Sequence, residues 1–211
     1  MVTKRSFVAA LLIFALPILG IAAPTPTAAP KILVLGDSIS AGYGLAANEG
    51  WVSLLQNRLK AEGYGYRVVN ASVTGETTTG GLARLPRALS LHQPAIVIIE
   101  LGGNDGLRGL PLDTSRANLQ KMIDLSRATG AAVLLLGMKI PPNYGPRYAN
   151  EFEALYADLA RRNKVAFEPF FLDKIALANG MMQDDGIHPT AKAQPTMLET
   201  LWPRLRPLLR R

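Results

Sequence analysis

The 211-residue sequence contains no cysteine and two histidines. Without cysteine there is no disulfide, no thiolate metal site and no Cys nucleophile. The absence is compatible with an oxidising compartment. Charged residues make up 18% and hydrophobic residues 48%, which excludes a wholly disordered chain. At this length one domain can bury a sizeable core without metals or cross-links. Phosphate-loop and dinucleotide fingerprints are missing. So is the Gly-x-Ser-x-Gly elbow, which argues against an ordinary α/β-hydrolase. No basic stripe interleaved with aromatics occurs, so nucleic acid is not an expected partner. There is no internal repeat.

What the sequence does have begins with an address. Lys4 and Arg5 precede an apolar stretch from Phe7 to Ile21, closed by small residues at Gly20–Ala23. This is the layout of a secretory signal peptide over residues 1–22, cut after Ala22. The alternative is an uncleaved anchor, but the run is short against the roughly 20 residues a spanning helix needs. Nothing later resembles a transmembrane helix. Residues 23–30, rich in Pro, Thr and Ala, read as a linker to a domain over 31–211. The expected location is periplasmic or secreted. The formal charge is +7, and removal of Lys4 and Arg5 leaves +5. Part of it sits in Arg204, Arg206, Arg210 and Arg211, as a solvated face or as a weak attraction to anionic membrane surfaces.

The rest of the chain alternates between two patterns. Short apolar runs at 32–35, 67–69, 95–101, 132–137 and 165–167 predict strands, and three of them are continuous, as in strands buried on both faces. Helical patterns fall at about 50–62, 79–91, 115–129, 147–163 and 190–209. This alternation predicts an α/β fold, a three-layer α/β/α arrangement around a mostly parallel sheet of about five strands. In such sheets ligands bind beyond the carboxyl ends of the strands. Chemistry is therefore expected after Leu35, after Asn70, after Leu101 and in the C-terminal loop.

Each of these places holds suitable residues. Gly36-Asp37-Ser38 follows the first strand; Ser38 is a candidate nucleophile, or Asp-Ser is simply a helix cap. Gly102-Gly103-Asn104-Asp105 follows the third; the uncharged Asn104 amide suits an oxyanion, and the same residues also suit a turn. Gly75, in the loop after Asn70, offers a backbone N–H. Of the two histidines, His92 lies in a helix-to-strand connection with no acid nearby. His188 stands three residues after Asp185 on a glycine-containing loop, a spacing that lets the carboxylate bond one ring nitrogen and leaves the other to accept a proton. Asp184 is a competing orienter. One His with the scattered acids Asp105, Asp184 and Asp185 matches zinc spacing poorly.

Together these segments resemble the SGNH (GDSL-like) hydrolase superfamily. Gly36-Asp37-Ser38-Ile39 resembles its first block, with Ile for the usual Leu. Gly75 falls at the second-block glycine, Gly102–Asp105 matches the third, and Asp185-Gly186-Ile187-His188 matches the fifth. The blocks occur in order from residue 31 to about 190. Asn70–Ser72, Gly81–Pro86, Glu100–Gly109 and Met182–Pro189 further resemble the bacterial thioesterase I/protease I/lysophospholipase (arylesterase) subgroup. The resemblance implies an SGNH/flavodoxin-like fold and a serine esterase or thioesterase. Its catalytic residues would be Ser38, Asp185 and His188, with an oxyanion hole from Ser38, Gly75 and Asn104. It implies no cofactor or metal, and a monomer acting on small-molecule acyl esters or thioesters. Leu107, Leu110, Tyr144 and Tyr148 are candidates to line an acyl groove, or are ordinary packing. A carbohydrate O-deacetylase on the same fold, or a catalytically silent binding protein, are the competing expectations.

Overall fold

A computed structural model describes residues 29–211. The expected signal peptide and most of the linker lie outside the described residues. Five strands form one sheet: β1 Lys31–Gly36, β2 Arg67–Asn70, β3 Ile96–Glu100, β4 Ala132–Leu136 and β5 Ala166–Glu168. All pair in parallel, in the order β2-β1-β3-β4-β5. The three inner strands carry the continuous apolar runs and are almost wholly buried. The edge strands β2 and β5 are shorter and only partly buried. A strand covered on both faces has no use for alternation, which is why these runs do not alternate.

Seven α-helices complete the domain: α1 Ser38–Ala41, α2 Trp51–Ala61, α3 Thr78–His92, α4 Gly103–Leu107, α5 Leu112–Ala128, α6 Pro146–Asn163 and α7 Gln194–Leu205. Helix α2 packs on α7, while α3, α5 and α6 pack side by side. Right-handed crossovers place these two groups on opposite faces of the sheet. The five longer helices fall where the sequence periodicity puts them. Helix α7 is shorter than the expected 190–209 because short 3-10 turns flank it at Ala191–Ala193 and Arg206–Leu208. The four-residue α1 and five-residue α4 were not expected, since neither is long enough to show a period.

The chain moves from β1 outward to β2, then crosses back over β1 to β3. The direction of winding therefore reverses between β1 and β3, the point at which such sheets bind ligands. Gly36 pairs with Glu100 at the carboxyl ends of both. The segments Gly36–Ser38 and Gly102–Asn104 open at this one place.

Candidate active site

Ser38 is the first residue of α1, directly beyond β1. Asp37 is its N-cap and takes the Ile39 N–H on Oδ1 at 3.0 Å. The capping expectation and the nucleophile expectation are thus divided between neighbours, one residue each. Ser38 is 7% exposed. Its Oγ lies 2.9 Å from Nε2 of His188.

His188 arrives on the loop between β5 and α7. Met182 and Pro189 form an antiparallel bridge at the base of this loop, and Gln183 N–H donates to the His188 carbonyl at 2.7 Å. Asp185 sits at the tip. Its Oδ1 accepts the N–H groups of Ile187 and His188 at 2.9 and 3.0 Å, while Oδ2 lies 2.6 Å from His188 Nδ1. The three-residue spacing works because the acid folds the loop around itself before it touches the ring. These hydrogen bonds, led by that from the imidazole, hold the Asp185 carboxyl down at about 2. Asp184 is exposed on the same loop. The Tyr43 ring lies against the imidazole, centroids 4.5 Å apart. Gln183 ties Tyr43 in place by donating from its side chain to the Tyr43 carbonyl at 2.9 Å. His92, by contrast, ends α3 on the connection into the amino end of β3, across the sheet from Ser38.

The third segment starts with a strained turn. Gly102 has φ of +112°, and a Cβ there would collide with the Tyr156 hydroxyl, which donates to the Leu101 carbonyl. Only glycine fits both the backbone and the space. Asn104 follows in α4. Its amide donates to the Glu76 carbonyl at 3.0 Å and to Asp37 Oδ2 at 3.2 Å. Asp105 is buried and serves as a structural tie. It accepts from the Thr78 N–H, the Thr78 hydroxyl and the Ser115 hydroxyl, joining α3 to α4 and α5. Gly75 lies in the turn between β2 and α3, its carbonyl taking a hydrogen bond from Arg108 at 3.1 Å. Among the described residues, the N–H groups of Ser38 and Gly75 donate to no other group.

Leu107, Leu110, Tyr144 and Tyr148 are brought together. The Tyr144 hydroxyl donates to the Leu107 carbonyl at 3.0 Å and the Tyr148 hydroxyl to the Leu110 carbonyl at 2.8 Å. Tyr144 is 39% exposed. Both hydroxyls are engaged with backbone, so what these residues leave facing outward is apolar.

Sequence reasoning missed Tyr43, Glu100 and Arg84. Arg84 pairs with Glu76 at 2.6 Å and also donates to the carbonyls of Ala71 and Gly36, lacing the second segment to the first. Its only trace in sequence was its place within the Gly81–Pro86 resemblance. Among the described residues, no three His, Asp or Glu side chains gather as a metal ligand set.

Comparison with known proteins identifies the family. A model of the GDSL-like Lipase/Acylhydrolase family matches residues 34–194. The chain is 57% identical to "Esterase TesA" of Pseudomonas aeruginosa over 182 residues, covering 86% of this chain and 90% of that protein. It is 43% identical to "Thioesterase 1/protease 1/lysophospholipase L1" of Escherichia coli, covering 86% of each. A crystal structure of TesA superposes with a TM-score of 0.83 at 56% identity, covering 85% of this chain and 99% of the other. From Gly36 to His188 the ordered segments lie within the matched span, and the chain belongs to the GDSL-like lipase/acylhydrolase family.

Proposed function

We propose that this protein hydrolyses carboxylic esters and thioesters through an acyl-enzyme on Ser38. The observation that carries the reading is the unbroken hydrogen-bond chain from Asp185 through His188 to Ser38, at 2.6 and 2.9 Å. With Nδ1 donating to Asp185, neutral His188 presents Nε2 as acceptor. The Ser38 oxygen bonds to the acyl carbon as its proton passes to Nε2, and the carbonyl electrons move onto oxygen. As the tetrahedral intermediate collapses, the bond to the leaving alcohol or thiol breaks and His188 returns the proton to it. Water, deprotonated by the same nitrogen, repeats the sequence and frees the acid. Asp185, held ionised, orients the ring and stabilises its cation. The N–H groups of Ser38 and Gly75 and the Asn104 amide are the proposed oxyanion donors. Relatives named esterase, arylesterase, thioesterase and lysophospholipase support the acyl substrate class.

Leu107, Leu110, Tyr144 and Tyr148 are the proposed lining for the acyl chain. A fluorophosphonate probe is expected to label the purified protein, and Ser38→Ala or His188→Ala to abolish labelling. Folded wild-type protein that stays unlabelled would overturn the hydrolase reading in favour of a binding role. In the same preparations, Leu107→Ala and Leu110→Ala should flatten the preference among nitrophenyl esters of rising chain length. An unchanged preference assigns these residues to packing.

Residues 1–22 are the proposed export signal, and among the described residues no helix is long and apolar enough to cross a membrane. Cell fractionation should find a periplasmic or secreted chain starting at Ala23. A chain retained with its leader in the cytoplasm overturns this. Arg204, Arg206, Arg210 and Arg211 are the proposed source of a weak attraction to anionic lipid, to be read as vesicle binding that fades with salt.

A further inference from the structure

Glu100 ends β3 opposite Gly36 and is fully buried. Its Oε2 accepts the Ser40 hydroxyl at 2.6 Å and the Asp37 N–H at 3.3 Å. Its Oε1 is buried with no partner. Gly36 has no side chain because this carboxyl fills the space: a Cβ there would come within 2.7 Å of Oε2. The second acid of the turn, Asp37, is 2% exposed. It caps α1 with one oxygen and holds the Asn104 amide with the other.

These contacts join the segments that carry Ser38, Gly75 and Asn104. Ser40, fixed from below by Glu100, accepts the Asn70 amide on its carbonyl at 2.8 Å. The Gly36 carbonyl accepts the Val73 N–H at 3.0 Å. The stretch from Asn70 to Gly75, the Ser38 turn and Asn104 are therefore all referred to one buried carboxyl.

Two ionised carboxylates cannot share this volume cheaply. Burial pushes Asp37 up to about 6. Burial, with the Asp37 charge beside it, pushes Glu100 well above 4.5. The other ionisable groups facing the pair are His188, which favours the charged form of Asp37, Tyr156 of α6, and Arg84 of α3, which reaches the Gly36 carbonyl while paired to Glu76. The Arg84 guanidinium is thus already engaged by Glu76.

We propose that Glu100 is a positioning residue for the reaction. Lying beneath the Gly36–Ser40 turn, its carboxyl pins Ser40 and the Asp37 backbone, and through Asp37 it holds the Asn104 amide beside the nucleophile. The inference rests on the hydrolase reading above.

The test compares Glu100→Gln and Glu100→Leu with the wild type, on a nitrophenyl ester and in thermal melts across pH, with Ser38→Ala as control. Glutamine is neutral and of the same shape, so its kcat should stay within about threefold of wild type, whereas leucine, which loses the hydrogen bonds, should lower kcat about tenfold or more with KM little changed. The melts separate a protonated acid from a merely structural side chain. The unfolded chain releases the Glu100 proton near its ordinary 4.5, while the folded protein keeps it. Wild-type stability conferred by this group is complete below 4.5 and is lost as pH rises above it. Glutamine does not titrate, so its melting temperature should gain on the wild type as pH climbs into the neutral range. A glutamine variant as impaired as leucine, a leucine variant with wild-type kcat, or a melting difference that ignores pH each overturns the proposal. Should leucine fail to fold, the glutamine kinetics and the pH series decide. Wild-type turnover that survives Ser38→Ala would instead sink the hydrolase reading itself.

Discussion

Ser38→Ala should lower kcat by about 10⁵–10⁶-fold, and adding His188→Ala to it should lower kcat hardly further. The reason is geometric. The hydroxyl and the ring touch at 2.9 Å, and neither has a role without the other. A serine without its base keeps its proton, and a base without the serine has nothing to deprotonate. The single variants should therefore each lie close to the double variant rather than sum to it. Fluorophosphonate labelling reports the nucleophile alone, while steady-state turnover reports the whole cycle, so both should vanish together. Losses that add would mean that the two residues act in separate steps and would overturn the acyl-enzyme scheme. Asp185→Ala should cost less. Its carboxylate is 39% exposed, so water can replace part of its charge stabilisation, but not the ring orientation set by its grip on the Ile187 and His188 amides.

How much of this was legible beforehand depended on the length over which each signal is written. β3 and β4 show as apolar runs because burial on both faces demands it. Helices of 11 to 18 residues show as periodic patterns because several turns repeat one face. Helices α1 and α4, which present Ser38 and Asn104, carry no period, and only the glycines before them mark the turns. The Asp185–His188 pair was readable because its geometry closes within three residues. Glu100 was not: it stands 63 residues from the Asp37 N–H and 60 from the Ser40 hydroxyl that it binds. A glutamate ending an apolar strand has no local partner to announce it. Tyr43 is similar, since its contact with His188 exists only once the loop after β5 has returned over the first one. The family resemblance bridged those distances only for residues to which its blocks assign a role; Glu100 and Arg84 stand inside resembling segments without one, and Tyr43 stands outside them.

Asn104→Ala should reduce kcat by about 10²–10³-fold while leaving KM little changed, the signature of a donor used in the transition state. The lower figure is the expected one. In the resting enzyme the Asn104 amide is not idle, because it donates to Asp37 Oδ2 and to the Glu76 carbonyl. Binding an oxyanion exchanges one of these acceptors for another, so the gain is a difference between two hydrogen bonds rather than the whole of one. A second effect accompanies the first. The Asn104 hydrogen bond is among the influences that lower Asp37, against the burial that raises it to about 6. Removing the amide should raise Asp37 further. A buried acid with a raised value contributes full stability while both states are protonated, and loses it as pH climbs from the unfolded value of 3.8 through the folded one. The variant should consequently lose more melting temperature than the wild type on going from mildly acidic to neutral pH. Kinetics alone could not separate a lost oxyanion donor from a disturbed turn. A kcat deficit with unchanged KM and a steeper pH dependence of melting assigns Asn104 both roles. A rise in KM at constant kcat would remove it from the oxyanion site and leave only its hold on Asp37.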